Sequence, residues 1–369
     1  MTAYGRAAVF YGVGRPFEIK EYPVPEPEPG AVIVKMSVAN ICGSDLHQWR
    51  GEFDLAKLGR PLPTILGHEM TGTVYRLGEG VTHDTAGQPL KEGDRVVFRY
   101  FYPCGRCEPC LRRNFRACPN ARAYLTRSCE HPPHFYGAYA DYYYVRPGHA
   151  IFKVPDELSD LMVAGINCAF SQVVEGFARA NLQLGERVVI QGAGGLGVYA
   201  TAVAKEMGAS QVIVIDGIAE RLELAVAFGA DEVVNLRELP DPDQRVNRVM
   251  ELTDGWGADV VAELAGHPRV CNEGLKMLAR CGRYLEIGNI NPGLTYEIDP
   301  SWLVLGNRSI IGVVYYEAES LKKALDLMRR TRNKYPYHRV LSHTFPLDQI
   351  NEAFRLADEG KVTRAALVP

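Results

Sequence analysis

"RVVIQGAGGLGVYATAVAKEMGA" (residues 187–209) is the stretch on which the fold turns. Its opening is a β-branched apolar run, its centre a glycine turn, and its remainder an alanine-rich, helix-forming segment. "GAGGLG" (192–197) fits the pattern G-x-G-x-x-G. That pattern is weak in isolation and acquires meaning between a strand and a helix. There Gly192 permits the tight turn, Gly194 lets the backbone approach a pyrophosphate, and Gly197 lets the helix pack close to the strand. Gly195 and Leu196 stand at the helix N-terminus, whose free N–H groups face the phosphates. The next apolar strand, "QVIVIDG" (211–217), ends on Asp216, 19 residues past Gly197. A carboxylate there accepts hydrogen bonds from adenosine ribose hydroxyls and repels a 2′-phosphate, which favours NAD over NADP as cofactor.

The alternation continues outward. "IAERLELAVAFGA" (218–230) reads as a helix, and "DEVVN" (231–235), "ADVVAELAG" (258–266) and "GRYLEIG" (282–288) as further strands. Alternating strands and helices mean an α/β unit with a doubly wound parallel sheet. The first part of the chain is different. "AVIVKMSVANI" (31–41), "TGTVYRLG" (71–78), "DRVVFRYF" (94–101) and "ADYYYVRP" (140–147) are short β-rich runs separated by glycine and proline. Towards the end, "SIIGVV" (309–314) is strand-like, and 318–330 and 347–360 are helical. No internal repeat is visible.

"YPCGRCEPCLRRNFRACP" (102–119) gathers Cys104, Cys107, Cys110 and Cys118. With 369 residues and 47% hydrophobic composition, the chain supports its own core and does not need a disulfide framework. Its cysteines number nine, and the N-terminus has no signal-peptide pattern. The expectation is a cytoplasmic chain with reduced thiols. In that setting C-x2-C-x2-C, followed by a fourth cysteine, reads as a tetrathiolate structural zinc site. Arg106, Arg112, Arg113 and Arg116 are placed to offset the site's formal charge of about −2. A net charge of −3 excludes an evident nucleic-acid surface, and no uninterrupted apolar run is long enough to span a bilayer.

A second set of soft and borderline donors lies in "NICGSDLHQW" (40–49) and "GHEMTG" (67–72): Cys42, His47, His68 and Glu69. A catalytic zinc takes three protein ligands and leaves one position open. Cys42 and His68 could supply two, and Cys168, in "GINCAFSQ", the third. A lone buried cysteine is more often filler, the reading given to Cys129, Cys271 and Cys281.

Together these motifs, with "GKVTR" (360–364), resemble the zinc-dependent medium-chain alcohol dehydrogenase family over essentially the full length. The resemblance implies a β-rich GroES-like catalytic domain (1–168 and 310–369, discontinuous) and a Rossmann NAD-binding domain (169–309). On this reading "SIIGVV" onward returns to the catalytic side. It implies catalytic zinc on Cys42, His68 and Cys168, with Glu69 as the neighbouring carboxylate. Asp45 resembles the acceptor that orients a ligand histidine, and Ser44 and His47 a proton relay. Arg221 is similar to a basic residue beside the adenosine ribose, and Arg364 to an arginine near the pyrophosphate. By motif position Trp49, Tyr100 and Tyr139 face the substrate, suiting an aromatic or partly polar alcohol, primary or secondary. "SCEHPPHFYG" (128–137) is placed at the pocket edge, with His131 and His134 at the surface. A homodimer or homotetramer is expected, with neither nucleic acid nor membrane as partner. The competing readings are an NADPH-dependent reductase of activated double bonds, and a zinc-stabilised nucleotide-binding protein without turnover.

Overall fold

The computed structural model describes residues 3–121 and 127–369. The chain divides into two compact units, one of Met1–Cys168, Tyr316–Arg330 and Val340–Pro369, the other of Ala169–Tyr315 and Thr331–Arg339.

The first unit opens with β1 (Tyr4–Phe10), β2 (Glu18–Pro23), β3 (Val32–Asn40) and β4 (Thr64–Ile65). It continues with β5 (Glu69–Leu77), β6 (Arg95–Phe98), β7 (Tyr142–Val145) and β8 (Ile151–Lys153). β2, β1 and β4 form a small antiparallel sheet. β3 is the spine of the larger one: β5 runs along one edge, and β7 pairs with its N-terminal half on the other. Seven of its nine residues are buried, so it needs the β-branched run that made it legible in sequence.

The second unit holds β9 (Arg187–Gln191), β10 (Gln211–Asp216), β11 (Glu232–Asn235), β12 (Ala258–Glu263), β13 (Leu278–Glu286) and β14 (Ser309–Gly312). All pair in parallel, in the order β11-β10-β9-β12-β13-β14. Central strands covered on both faces are apolar throughout, and four of the five β9 residues are buried. Val189, Ile213, Val261 and Tyr284 share one core cluster there. The strand order reverses between β9 and β12. Ligands of such sheets bind outside the carboxyl ends of the strands at that reversal.

The expected return to the first unit at residue 310 needs correction. "SIIG" is the sixth strand of the parallel sheet, and the chain leaves this unit after Tyr315. Residues Thr331–Arg339 also belong to it. An edge strand and a return strand have the same apolar pattern, so only pairing distinguishes them. β15 (His343–Pro346) and β16 (Ala365–Val368) then complete the larger sheet of the first unit, β16 beside the C-terminal end of β3.

Asp160–Arg179 is a helical run of 20 residues whose apolar window has a mean hydropathy of 1.3. It is long and apolar enough to cross a bilayer by composition alone. Within the protein 83% of that window is buried, as in a core helix.

Candidate functional site

The glycine turn sits where β9 meets the helix Gly195–Glu206. Gly192 has φ +99°, and a Cβ there would meet the Ala265 backbone at 2.9 Å. A Cβ on Gly197 would lie 1.9 Å from the Gly192 carbonyl oxygen. Both glycines are therefore required by the protein's own packing. Gly194 is not: a Cβ there meets nothing within 4 Å. Its open space, beside the partly exposed Gly195 and Leu196, suits a ligand that must come close to the backbone. Asp216 is nearly buried at the end of β10. Its Oδ2 accepts the Ala193 N–H at 2.7 Å, and its Oδ1 accepts the Ile218 N–H at 2.9 Å. The carboxylate thus ties two βα turns together, with Arg221 4.0 Å away.

In the first unit, one ligand atom from each of Cys42, His68, Glu69 and Cys168 lies within 4.8 Å of the others, and all four residues are buried. Cys42 is the N-cap of the helix Gly43–Arg50. Its N–H donates to Asp45 Oδ2 at 3.0 Å. The same oxygen accepts the Tyr139 hydroxyl at 2.7 Å, and Asp45 Oδ1 stands 3.3 Å from His68 Nδ1. Asp45 is fully buried, so these groups replace its water. His68 follows Gly67, whose φ of +93° and bare Cα let the Tyr139 ring pack against it; a Cβ would meet that ring at 2.7 Å. Ser44 Oγ is 3.1 Å from His68 Nε2.

Glu69 begins β5. Its Oε2 takes hydrogen bonds from Asn40 and from the Arg364 guanidinium, while Oε1 is buried without a partner. Burial pushes this carboxyl up to about 7, against the pull of Arg364. Cys168 lies in a single π-helical turn, Ile166–Phe170. Such turns recur at functional sites because they re-aim one side chain. Asn167 fastens this turn. Its amide donates to the Phe98 and His68 carbonyls, and its Oδ1 accepts the Met70 N–H. Cys168 hydrogen bonding holds the Cys42 thiol well below its ordinary pKa, and the Cys168 thiol is pushed up in turn. Two thiols, an imidazole and a carboxylate, dry and convergent, match the donor set of a zinc site.

The four-cysteine loop forms a second convergent set, its sulfurs within the same 4.8 Å limit. All four cysteines are free thiols. Cys107 caps the short helix Glu108–Leu111, and the Cys104 N–H points at Cys118 Sγ at 3.3 Å. The basic residues are not all spent on the site: Arg112 pairs with Glu108 and Arg116 with Glu317.

The remaining sequence-expected residues divide. Tyr100 packs its ring 4.9 Å from that of His68. Trp49 lies against Phe354, and His47 Nδ1 meets the Glu52 carboxylate. Tyr139 is corrected: it is fully buried with its hydroxyl spent on Asp45 and the Asn40 carbonyl, so it holds the site and does not face a substrate. His134 is buried, stacked on Tyr22, with Nδ1 2.7 Å from the Cys129 carbonyl, whereas His131 is exposed. The 128–137 loop edges a cavity of about 560 Å³ lined by Val24, Arg76 and His134, not by the Cys42 cluster. Cys281 is exposed, unlike Cys129 and Cys271. Arg364 is placed on Glu69. Asn40, Asn167 and Tyr316, whose hydroxyl donates to the Asn167 carbonyl, carried no sequence signal.

Both units resemble known proteins. Residues 28–156 match the alcohol dehydrogenase GroES-like domain family, and residues 195–330 the zinc-binding dehydrogenase family. The chain is 33% identical to 5-exo-hydroxycamphor dehydrogenase of Pseudomonas putida over 365 residues, covering 99% of this chain and 98% of that one. It is 31% identical to L-threonine 3-dehydrogenase of Bacillus licheniformis, covering 96% of each. An alcohol dehydrogenase structure from Thermotoga maritima aligns over 100% of both chains, with a TM-score of 0.91 and 30% identity.

Two experiments test the geometry. Tyr139→Phe removes a hydrogen bond to a buried charge and should cost about 1.5–3 kcal/mol of stability. Loss of this positioning bond should also weaken zinc binding by about tenfold or more. Denaturant unfolding and metal titration read both; an unchanged stability with an altered KM would restore Tyr139 to the pocket. Elemental analysis of Cys107→Ala and Cys42→Ala should each show one fewer zinc per chain. Only the first should lose much stability, because a metal held there would order a loop whose thiols come from one short segment.

Proposed function

Because the chain belongs to the medium-chain family of zinc-binding dehydrogenases with an alcohol dehydrogenase GroES-like domain, we propose that it is an NAD-dependent alcohol dehydrogenase holding two zinc ions. Cys104, Cys107, Cys110 and Cys118 would hold the structural ion. Cys42, His68 and Cys168 would hold the catalytic one, with Glu69 beside it. The buried convergence of those residues is the observation that carries the reading. When bound, zinc supplies Lewis acidity that lowers a substrate hydroxyl's pKa, and the nicotinamide supplies the hydride acceptor.

The chain's own residues do the rest. Ser44 Oγ takes the proton released by the substrate hydroxyl and passes it towards His47. The His47–Glu52 contact offers that proton a route to the surface. Asp45 keeps His68 in one tautomer and orientation. Tyr100, beside the His68 ring, and Trp49 border the substrate. Gly192, Gly194, Gly195, Leu196 and Gly197 hold the pyrophosphate at the helix N-terminus. Asp216 and Arg221 meet the adenosine ribose, and the Asp216 charge disfavours NADP. The names of two relatives favour a secondary alcohol, since 5-exo-hydroxycamphor and the 3-position of threonine both carry secondary hydroxyls. The reading places the enzyme in the cytoplasm. It also includes a homodimer or homotetramer, for which β14 offers an open sheet edge flanked by exposed Val304, Leu305 and Val314.

Zinc-loaded protein should reduce NAD, followed at 340 nm, with at least one member of a panel of primary, secondary and aromatic alcohols. Asp216→Ala should weaken NAD and narrow the preference over NADP; a wild type that prefers NADP would refute that assignment. Light scattering should give a mass of two or four chains, and a monomer would remove the role given to the β14 edge.

A further inference from the structure

Outside the proposed zinc sites, a pair of acidic side chains lies at the carboxyl edge of the parallel sheet. Glu263 is the last residue of β12 and Glu286 the last of β13, and the two are register partners on adjacent parallel strands. Their side chains therefore stand side by side. Glu263 Oε1 accepts the Gly266 N–H at 2.7 Å, and Oε2 accepts the Gly288 N–H at 3.1 Å. One carboxyl group thus clasps the turn after β12 to the turn after β13. The turns touch: a Cβ on Gly288 would meet the Gly266 nitrogen at 2.5 Å and Glu263 Oε2 at 2.6 Å. The Asn289 amide nitrogen bridges the pair, 3.0 Å from Glu263 Oε2 and 2.8 Å from Glu286 Oε1.

Nothing positive answers these two carboxylates. Among the described residues neither forms an ion pair with lysine, arginine or histidine. The other titratable groups facing them are Cys271, Tyr284 and Tyr296, all acids. His267, on the turn after β12, is exposed and its Nδ1 accepts the Arg269 N–H. Two adjacent carboxylates without a cation cannot both ionise cheaply.

We propose that Glu263 and Glu286 hold one proton between them at neutral pH, and that this shared proton keeps the two turns closed as a wall of the dinucleotide crevice. The wall stands next to the reversal between β9 and β12, where such sheets bind ligands. The proposal rests on the nicotinamide-dinucleotide reading given above. It makes Glu263 and Glu286 positioning residues that act through the turn backbones.

The protonation is consistent with the surroundings. Burial, then the neighbouring Glu286 carboxyl, pushes the Glu263 carboxyl up to about 8 from an ordinary 4.5. Cys271 and Tyr296 are pushed up to about 12, and Tyr284 rises further by burial, so all three stay neutral as the pair titrates. The sign follows. Above about pH 8 the retained proton is lost, and two charges repel across the clasp. An unfolded glutamate loses its proton near 4.5, so the stability supplied by the retained proton falls as pH rises from there towards 8. Cofactor affinity should hold to about pH 7.5 and weaken above pH 8.

NADH binding to the zinc-loaded protein, followed by nucleotide fluorescence, tests this. The wild-type Kd should rise about tenfold between pH 7.5 and pH 9. Glu286→Gln supplies a permanent N–H donor and one fixed charge on the pair, so it should bind like wild type at pH 7.5 and keep that affinity at pH 9. A wild-type Kd that does not change with pH, or a variant that loses affinity in parallel with wild type, overturns the shared proton. Calorimetry on the wild type alone, at pH 8.5 in two buffers of different ionisation heat, should show proton uptake on binding; zero uptake also overturns it. Absence of NADH binding at every pH would instead overturn the dinucleotide reading and the proposal with it.

Discussion

A single buried carboxylate organises the convergent thiol and imidazole cluster. Asp45 faces the Cys42 backbone, the His68 ring and the Tyr139 hydroxyl from one position with no exposure to solvent. An isolated carboxylate at that depth would be costly, and the Cys42 N–H and the Tyr139 hydroxyl both donate to it. The contacts reach across the chain: Cys42 and Asp45 share a helix turn, His68 precedes β5, and Tyr139 precedes β7. Satisfying this one charge draws together segments nearly a hundred residues apart. Cys42 and His68 are thereby held in one arrangement, which is what a catalytic metal site requires of its supports.

The same device recurs in the parallel-sheet unit. Asp216 joins the glycine turn to the next βα turn through two backbone N–H groups, and Glu263 joins the turns after β12 and β13 through two more. Turns at the end of a parallel sheet expose backbone donors that no ladder satisfies. Carboxylates at the last strand positions satisfy them and set the spacing of the turns. Asp216 is also the residue proposed to select the cofactor, so selectivity and crevice geometry share one side chain. Glu263 and Glu286 face each other without a cation, which makes that part of the rim responsive to protons.

The two cysteine groups show how packing separates stability from chemistry. The four-cysteine loop is compact in sequence, and its thiols come from one short segment, so a metal bound there would order the loop. Cys42, His68 and Cys168 come from three segments, and the π-helical turn that presents Cys168 is held by Asn167 against His68 and Phe98. Arg364, on the last loop before β16, reaches back to Glu69. A mutation in any of those supports changes the aim of a ligand without removing one.

Motifs set by local covalent spacing were legible in the chain alone. The glycine turn, Asp216, the four-cysteine loop, "CGSD" with "GHE", and the strand–helix alternation depend on neighbours a few residues apart, and each is where its spacing placed it. The placements that failed depend on which side of a strand or loop meets the core. Tyr139 and Tyr100 are both aromatic residues near the site, yet one is consumed by Asp45 and the other lies against His68. His134 and His131 are three residues apart, one buried and one exposed. "SIIG" has the same apolar pattern in either unit, and only its hydrogen bonds to β13 assign it. Asn167, Asn40 and the Glu263–Glu286 pair left no trace in the linear pattern, because their partners are distant in sequence. The sequence by itself determined which chemistry the chain carries, since ligand types and turn glycines are local. Only the tertiary structure decided which side chains support that chemistry, since burial and hydrogen-bond partnership arise from contacts that sequence spacing does not encode.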